Sequence, residues 1–233
     1  MKSYDHYAFD ADGTLRYCTI NGQFCPNQPG EWALMPRVKE KLTAMDWTNK
    51  RVSVISNQAG VAAKRLTLST AYALLHGCLD AIFGPDSRVE RTVFLCPHNS
   101  NAWCRCRKPH PEMLHWAAAW SFAAQGNTLF VGDLGTDRMT AEAFGCDFMW
   151  AHDFFGWSTA ERVEVFLQAC GQFGTTVADI SSYLSGGDAS GIPGISDDRE
   201  VEEALKKMAR EGQASYRAAP TPDTMRWFIS RQL

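Results

Sequence analysis

The sequence predicts an α/β protein, a parallel β-sheet with helices on both faces. Three observations carry that reading. Short apolar, β-branched runs alternate with stretches whose apolar residues recur at helical spacing, the pattern of a parallel sheet with crossover helices. Polar clusters follow directly on the strand-like runs, where open α/β sheets place their ligands. The 233 residues are 45% apolar and 21% charged, enough for one ordinary globular core with an appendage.

In chain order, HYAFD (6–10) reads as a buried strand. Residues 35–47 read as a helix with Pro36 near its first turn and Val38, Leu42 and Met45 on one face. RVSVISN (51–57) is β-branched and reads as a strand. A helix over 62–76 is expected to stop at Gly77. TVFLC (92–96) is the next strand, followed by a helix over 111–125 closed by Gly126. TLFVGD (128–133), a helix over 137–144 closed by Gly145, and DFMWA (147–151) complete the alternation. Beyond Phe155 the character changes: a helix over 159–173, a Ser/Gly/Asp-rich loop over 181–198, a charged helix over 199–211 and a short helix over 222–230. The expected division is a core over 1–156 and a helical C-terminal extension over 157–233, a packing or oligomerisation appendage on the core that carries no recognisable chemistry.

A net charge of -3 provides no global basic field for nucleic acid or membrane. The first residues, MKSYDHYAFDADGT, lack the apolar run of a signal peptide, and no 18-residue apolar stretch occurs. A cytoplasmic location, with no membrane partner, is therefore expected. In a reducing compartment, clustered cysteines are metal ligands more often than disulfides. Of the eight cysteines, Cys18, Cys25, Cys78, Cys146 and Cys170 are scattered and read as small apolar or loop residues.

The first strand ends in Phe9-Asp10-Ala11-Asp12-Gly13-Thr14. Two carboxylates two residues apart point the same way in a strand, but a glycine turn lets them take separate roles. One carboxylate can attack phosphorus to form an aspartyl-phosphate. The other can protonate the leaving oxygen and later deprotonate water. Mg²⁺ suits such a site because it takes oxygen ligands and neutralises phosphate charge. Read alone, the Asp-Gly could equally mark a surface turn. It is accompanied by Ser56-Asn57-Gln58 at the end of the second strand, a hydroxyl and amide set able to bond phosphoryl oxygens, by Asp133 and Asp137 at the end of the fourth, and by Lys108 between the two strands in sequence.

CPHNSNAWCRCRKP (96–109) places Cys96, His98, Cys104 and Cys106 within eleven residues. Three thiolates and an imidazole have the composition of a closed, structural Zn²⁺ shell over 96–106. A Cys104–Cys106 disulfide would close a very small ring. Such a zinc loop is expected to set Arg107 and Lys108 over a phosphate, with Arg107 able to bond it bidentately.

The ordered set of acid pair, serine, lysine and distal acid resembles the four motifs of the haloacid dehalogenase-like (HAD) superfamily, from Tyr7 to about Phe155. That resemblance implies a Rossmannoid parallel sheet. It also implies Asp10 as nucleophile and metal ligand, and Asp12 as general acid/base with its backbone carbonyl on Mg²⁺. Ser56 and Lys108 would be the phosphate-binding pair, and Asp133 would be the last metal carboxylate. Asp137 would reach the metal through water or hold Lys108, and Thr14 would support the loop. The Cys-x-His…Cys-x-Cys loop running into Arg-Lys-Pro is similar to the branch of histidinol-phosphate and D-glycero-D-manno-heptose 1,7-bisphosphate phosphatases. Ala11 departs from the arginine usual there, and the tail is longer. The 22–32 segment resembles polynucleotide 3'-phosphatases of the same superfamily.

Neither 15–55 nor 59–107 has room for a large cap domain, so the site is expected to be open, roofed by the 15–34 loop and the zinc loop. The expected activity is Mg²⁺-dependent hydrolysis of a small phosphomonoester such as histidinol phosphate or a heptose phosphate. One alternative is a polynucleotide 3'-phosphatase, in which Trp32 and Trp103 would stack on bases. Another is a non-catalytic binding protein. No Gly-x4-Gly-Lys-Ser/Thr occurs, so no fused P-loop kinase is expected.

Overall fold

The computed structural model describes residues 2–20, 22–170, 174–184, 198–217 and 226–229. Its centre is a five-stranded parallel sheet formed by β1 (His6–Phe9), β4 (Arg51–Asn57), β5 (Glu90–Cys96), β6 (Thr128–Gly132) and β7 (Asp147–Trp150), in the order β5-β4-β1-β6-β7. Strand β1 lies in the middle, so the Asp10 turn emerges at the centre of the carboxyl edge.

Alternation along the strands feeds two cores. Phe9, Val52, Val54, Leu129 and Val131 pack with α1 (Val38–Ala44), α2 (Leu68–Phe83) and α5 (Ala151–Phe155). Ala8, Ile55 and Phe130 pack on the other face with α3 (Glu112–Ser121) and α4 (Gly135–Phe144). Between β1 and α1, the hairpin of β2 (Arg16–Cys18) and β3 (Trp32–Leu34) holds the first roof loop.

The 51–57 strand is as expected, and other core elements shift at their ends. Helix α2 is the larger correction. It begins at the Thr67 cap, runs through Gly77 and ends at Gly84, where φ is +86°. Leu74, Leu75, Cys78, Leu79 and Ile82 are all buried, and that burial outweighs the roughly 1 kcal/mol cost of a mid-helix glycine.

In the extension, α6 (Thr159–Cys170), α7 (Val177–Leu184), α8 (Asp198–Arg210) and an antiparallel pair, β8 (Ala214–Arg217) with β9 (Arg226–Ile229), surround a separate apolar cluster. That cluster includes Val163, Leu167, Ile180, Leu205 and Trp227. Two expectations change here. Ser181–Leu184 is helical rather than loop, and residues 226–229 form a strand rather than a helix. The rest of the Ser/Gly-rich stretch, 185–197, lies outside the described residues. Arg37 anchors the extension through two bonds to Glu161, at 2.7 and 2.9 Å, and Gln168 Nε2 donates to the Thr19 carbonyl at 3.2 Å. No helix among the described residues is long and apolar enough to cross a membrane.

His6 lies fully buried within β1, with Nε2 2.7 Å from Ser53 Oγ and Nδ1 3.4 Å from Thr128 Oγ1. Burial, with Arg51 nearby, pulls its pKa down from 6.5 to about 4. The unfolded chain therefore takes up this proton first as pH falls, and stability drops between about pH 6.5 and 4. The expected loss across that window is up to about 3 kcal/mol. Urea titrations at steps from pH 7.5 to 4.5 check it; His6→Gln should flatten the slope in that window.

Candidate active site

At the carboxyl edge the structure brings the ends of β1, β4 and β6 together with Lys108. The Lys108 ammonium, almost fully buried, sits between Asp10, which it contacts directly, and Asp137 Oδ1 at 2.6 Å. Burial works against its charge, but Asp10 and Asp137 outweigh burial and hold it above the usual lysine range. Asp10, Asp133 and Asp137 offer carboxylate oxygens that all lie within 4.8 Å of one another. Burial pushes Asp10 well above the usual carboxylate range; Lys108 opposes the shift, and Asp137 and Asp133 add to it. Desolvation and then Asp137 push Asp133 up to about 7. Three crowded carboxylates against one ammonium leave excess negative charge in a low-dielectric place, which a cation would relieve.

Two glycines make this crowding possible. Gly13 has φ +95°, and a Cβ there would lie 2.2 Å from Asp133 Oδ2. A Cβ on Gly132 would lie 2.5 Å from Asp137. Thr14 Oγ1 donates to Asp133 Oδ1 at 2.9 Å, so the loop support expected of Thr14 has a specific partner. Asp137 Oδ2 accepts the Leu134 backbone N–H at 3.1 Å, which seats it at the start of α4.

Asp12 faces elsewhere. Arg16, fully buried, donates from Nε to Asp12 Oδ1 at 2.8 Å, and Gln58 Nε2 donates to Asp12 Oδ2 at 2.8 Å. The same Gln58 amide reaches Ser56 Oγ at 2.8 Å. The two aspartates of the turn therefore have separate partners, Asp10 in the carboxylate cluster and Asp12 in a cradle of Arg16 and Gln58. Arg16 belongs to none of the motifs that mark the site in the sequence, although its i,i+4 spacing from Asp12 is a signal that points to it.

Asn57 is committed to the backbone of Lys108. Its Nδ2 donates to the Lys108 carbonyl at 3.2 Å, and its Oδ1 accepts the Lys108 N–H at 3.0 Å. Arg107 donates from Nη1 to the His98 carbonyl at 3.2 Å. Immediately before it, Cys96, His98, Cys104 and Cys106 converge with all four ligand atoms within 4.8 Å. Cys96 Sγ lies 3.5 Å from His98 Nδ1 and 3.7 Å from Cys104 Sγ, and Cys106 Sγ lies 3.3 Å from His98 Nδ1. A tetrahedron with metal–sulfur bonds of ~2.3 Å has edges of roughly 3.8 Å, so the set has the size of a Zn²⁺ shell. Of the two aromatic residues singled out in the roof loops, Trp103 is fully exposed. Trp32 is half-buried against the core, with the Arg16 guanidinium 5.9 Å from its ring centre.

Tyr183 of α7 reaches in from the extension, and its hydroxyl donates to Asp133 Oδ2 at 3.1 Å. Burial, and then Asp133, push its phenol well above the usual range, so it remains a donor. No local sequence signal marks this contact, which joins residues 50 apart in the chain.

The fold and the known proteins similar to this chain define it as a phosphatase with the HAD-like architecture. The chain belongs to the polynucleotide kinase 3 phosphatase family, whose model matches residues 5–159. It is 30% identical over 136 residues to the D-glycero-beta-D-manno-heptose-1,7-bisphosphate 7-phosphatase of Pseudomonas putida, a match covering 58% of this chain and 75% of that one. To the Bordetella bronchiseptica protein of the same name it is 32% identical over 124 residues, covering 51% and 65%. A weaker similarity, 26% over 96 residues, relates it to the histidine biosynthesis bifunctional protein HisB of Legionella pneumophila, covering 41% of this chain and 27% of that one. Among solved structures, the D,D-heptose 1.7-bisphosphate phosphatase from B. bronchiseptica, complexed with magnesium and phosphate, superposes with a TM-score of 0.53 at 24% identity, covering 62% of this chain and 78% of that one. The resemblance to the HAD phosphatases stated from the sequence thus holds, and so does the fold class.

Proposed function

We propose that this protein is a Mg²⁺-dependent phosphomonoester phosphatase acting on a small sugar phosphate, of the heptose bisphosphate kind, through an aspartyl-phosphate on Asp10. The observation that carries the reading is the division of the acid pair: Asp10 beside Lys108 and the carboxylate cluster, Asp12 turned into its own cradle. Asp10 attacks phosphorus, and the ester oxygen leaves with a proton from Asp12. Asp12 then takes a proton from water, which adds to phosphorus, releases phosphate and restores the Asp10 carboxylate. Lys108 and Ser56 hold the phosphoryl oxygens, and Arg16 and Gln58 keep Asp12 aimed.

Asp10, Asp133 and the backbone carbonyl of Asp12 would hold Mg²⁺, with Asp137 keeping Lys108 in place. Excess carboxylate charge in the cluster supports this. Bound there, Mg²⁺ would supply the positive charge that keeps Asp10 ionised and offsets phosphate repulsion. The cysteine–histidine set, with its tetrahedral spacing, would hold a structural Zn²⁺. On this reading residues 1–156 are the catalytic core and 157–233 an extension docked on it. The relatives named for heptose bisphosphate support the substrate class. The family description and the exposed Trp103 on the zinc loop support a second reading, hydrolysis of a nucleic-acid 3'-phosphate end.

A panel of heptose 1,7-bisphosphate, histidinol phosphate, a 3'-phosphorylated oligonucleotide and an aryl phosphate, assayed with Mg²⁺, separates these. The expected result is the highest kcat/KM on a sugar phosphate. A preference for the oligonucleotide would select the second reading, and no turnover of any substrate would indicate a binding protein.

A further inference from the structure

We infer that Tyr183, carried by the C-terminal extension, is a positioning residue of the active site: its hydroxyl fixes the Asp133 carboxylate for the metal. The inference rests on the proposed role of Asp133 as a Mg²⁺ ligand. The family match ends at residue 159, so this contribution comes from outside the shared core.

The geometry is specific. Asp133 has two donors, one for each oxygen: Thr14 Oγ1 at 2.9 Å on Oδ1 and the Tyr183 hydroxyl at 3.1 Å on Oδ2. Donors on both oxygens set the plane of the carboxylate, and each oxygen keeps a lone pair for a cation. The Tyr183 hydroxyl also lies 3.0 Å from where a Gly13 Cβ would be, so it rests directly on the loop that carries Asp10 and Asp12. A cavity of about 20 Å³, lined by Gly13, Met35, Asp133, Arg162 and Tyr183 among others, adjoins the carboxylate. That is room for about one water.

Tyr183 cannot easily swing away. Its ring packs on Phe166 with centroids 4.5 Å apart, and Phe166 lies 6.0 Å from Phe24 of the first roof loop. Arg162 of α6 donates from Nη2 to the Leu184 carbonyl and so ties down the end of α7. Extension, roof loop and Asp133 thus form one packed unit. A hydroxyl locked in this way orients Asp133 before the metal arrives, so the ordering cost does not fall on binding.

Tyr183→Phe in the full chain tests the idea, because it removes the hydroxyl and keeps the ring. Mg²⁺ affinity is read by calorimetry alongside thermal melting and kinetics over a Mg²⁺ series. The expected result is a Mg²⁺ dissociation constant weaker by about ten- to a hundredfold. The half-activating Mg²⁺ concentration should rise in parallel, and kcat should recover at saturation. Leu205→Ala, in the apolar cluster that Tyr183 also packs against but apolar and so without a hydrogen bond to Asp133, is the comparison. It should lower the melting temperature and leave the Mg²⁺ constant within about threefold, given one weakened packing contact. An unchanged Mg²⁺ constant in Tyr183→Phe, or equal losses of affinity in both variants, overturns the inference. If the wild-type chain itself neither binds Mg²⁺ nor hydrolyses any phosphomonoester, the phosphatase reading fails first.

Discussion

Asp10→Asn is expected to abolish turnover and leave a folded protein. An amide oxygen is too weak a nucleophile to attack phosphorus, and no neighbour can replace it. Asp12 is held by Arg16 and Gln58, while Asp133 is held by Thr14 and Tyr183. The loss in kcat should be on the order of a millionfold, the scale reached when a nucleophilic enzyme loses its attacking group. The fold should survive because the charge at position 10 is costly. Burial and two further carboxylates push Asp10 well above its usual range, against the opposing pull of Lys108. Without Mg²⁺ the variant should therefore melt no lower than wild type. Single-turnover hydrolysis of an aryl phosphate, with melting curves in chelator, checks both parts. Near-wild-type turnover would remove Asp10 from its assigned role.

The residues that converge at the candidate site were legible in the sequence because a parallel sheet delivers whatever follows its strands to one edge. Asp10, Ser56 and Asp133 each stand at such an end, so strand recognition sufficed to gather them. Lys108 was placed by order along the chain, and the structure adds what holds it there, the paired bonds to Asn57. What escaped the sequence depends on contacts between distant segments. Helix α2 overrides Gly77 because five apolar side chains around it are buried, a tertiary fact invisible to local propensity. Tyr183 lies in a serine-rich stretch that reads as loop. Its helix forms because Ile180 and Leu184 are buried in the extension's own cluster. The open site expected from the short insertions is therefore partly closed by a segment that follows the core.

The second large effect is expected at the cysteine–histidine loop. On the proposed Zn²⁺ role of the set, Cys106→Ser should release the metal, because a serine hydroxyl is a poor substitute for a thiolate. Cys106 stands two residues before Lys108, and Arg107 between them donates to the carbonyl of His98, another member of the set. With the shell opened, the backbone of that segment loses one of its two anchors, while the ammonium keeps its ion pairs with Asp10 and Asp137. The other, Asn57 on the Lys108 backbone, belongs to β4 and is untouched. Lys108 should therefore loosen rather than leave. A displacement of ~1 Å in such a group costs on the order of a hundredfold in rate. Because Lys108 would touch the phosphoryl group in both ground and transition states, KM should rise as kcat falls. Secondary structure should persist, since Cys104 and Cys106 only border a core built by Ala8, Ile55, Met113 and Phe130. Asn57→Ala alone should cost less than Cys106→Ser. The double variant should lose more than the two single losses combined, because both anchors act on one lysine. Zinc content, circular dichroism and steady-state kinetics on the three variants decide it. Wild-type kinetics after zinc loss would sink the coupling between loop and lysine, and global unfolding would mean that the loop holds the sheet as well as the site.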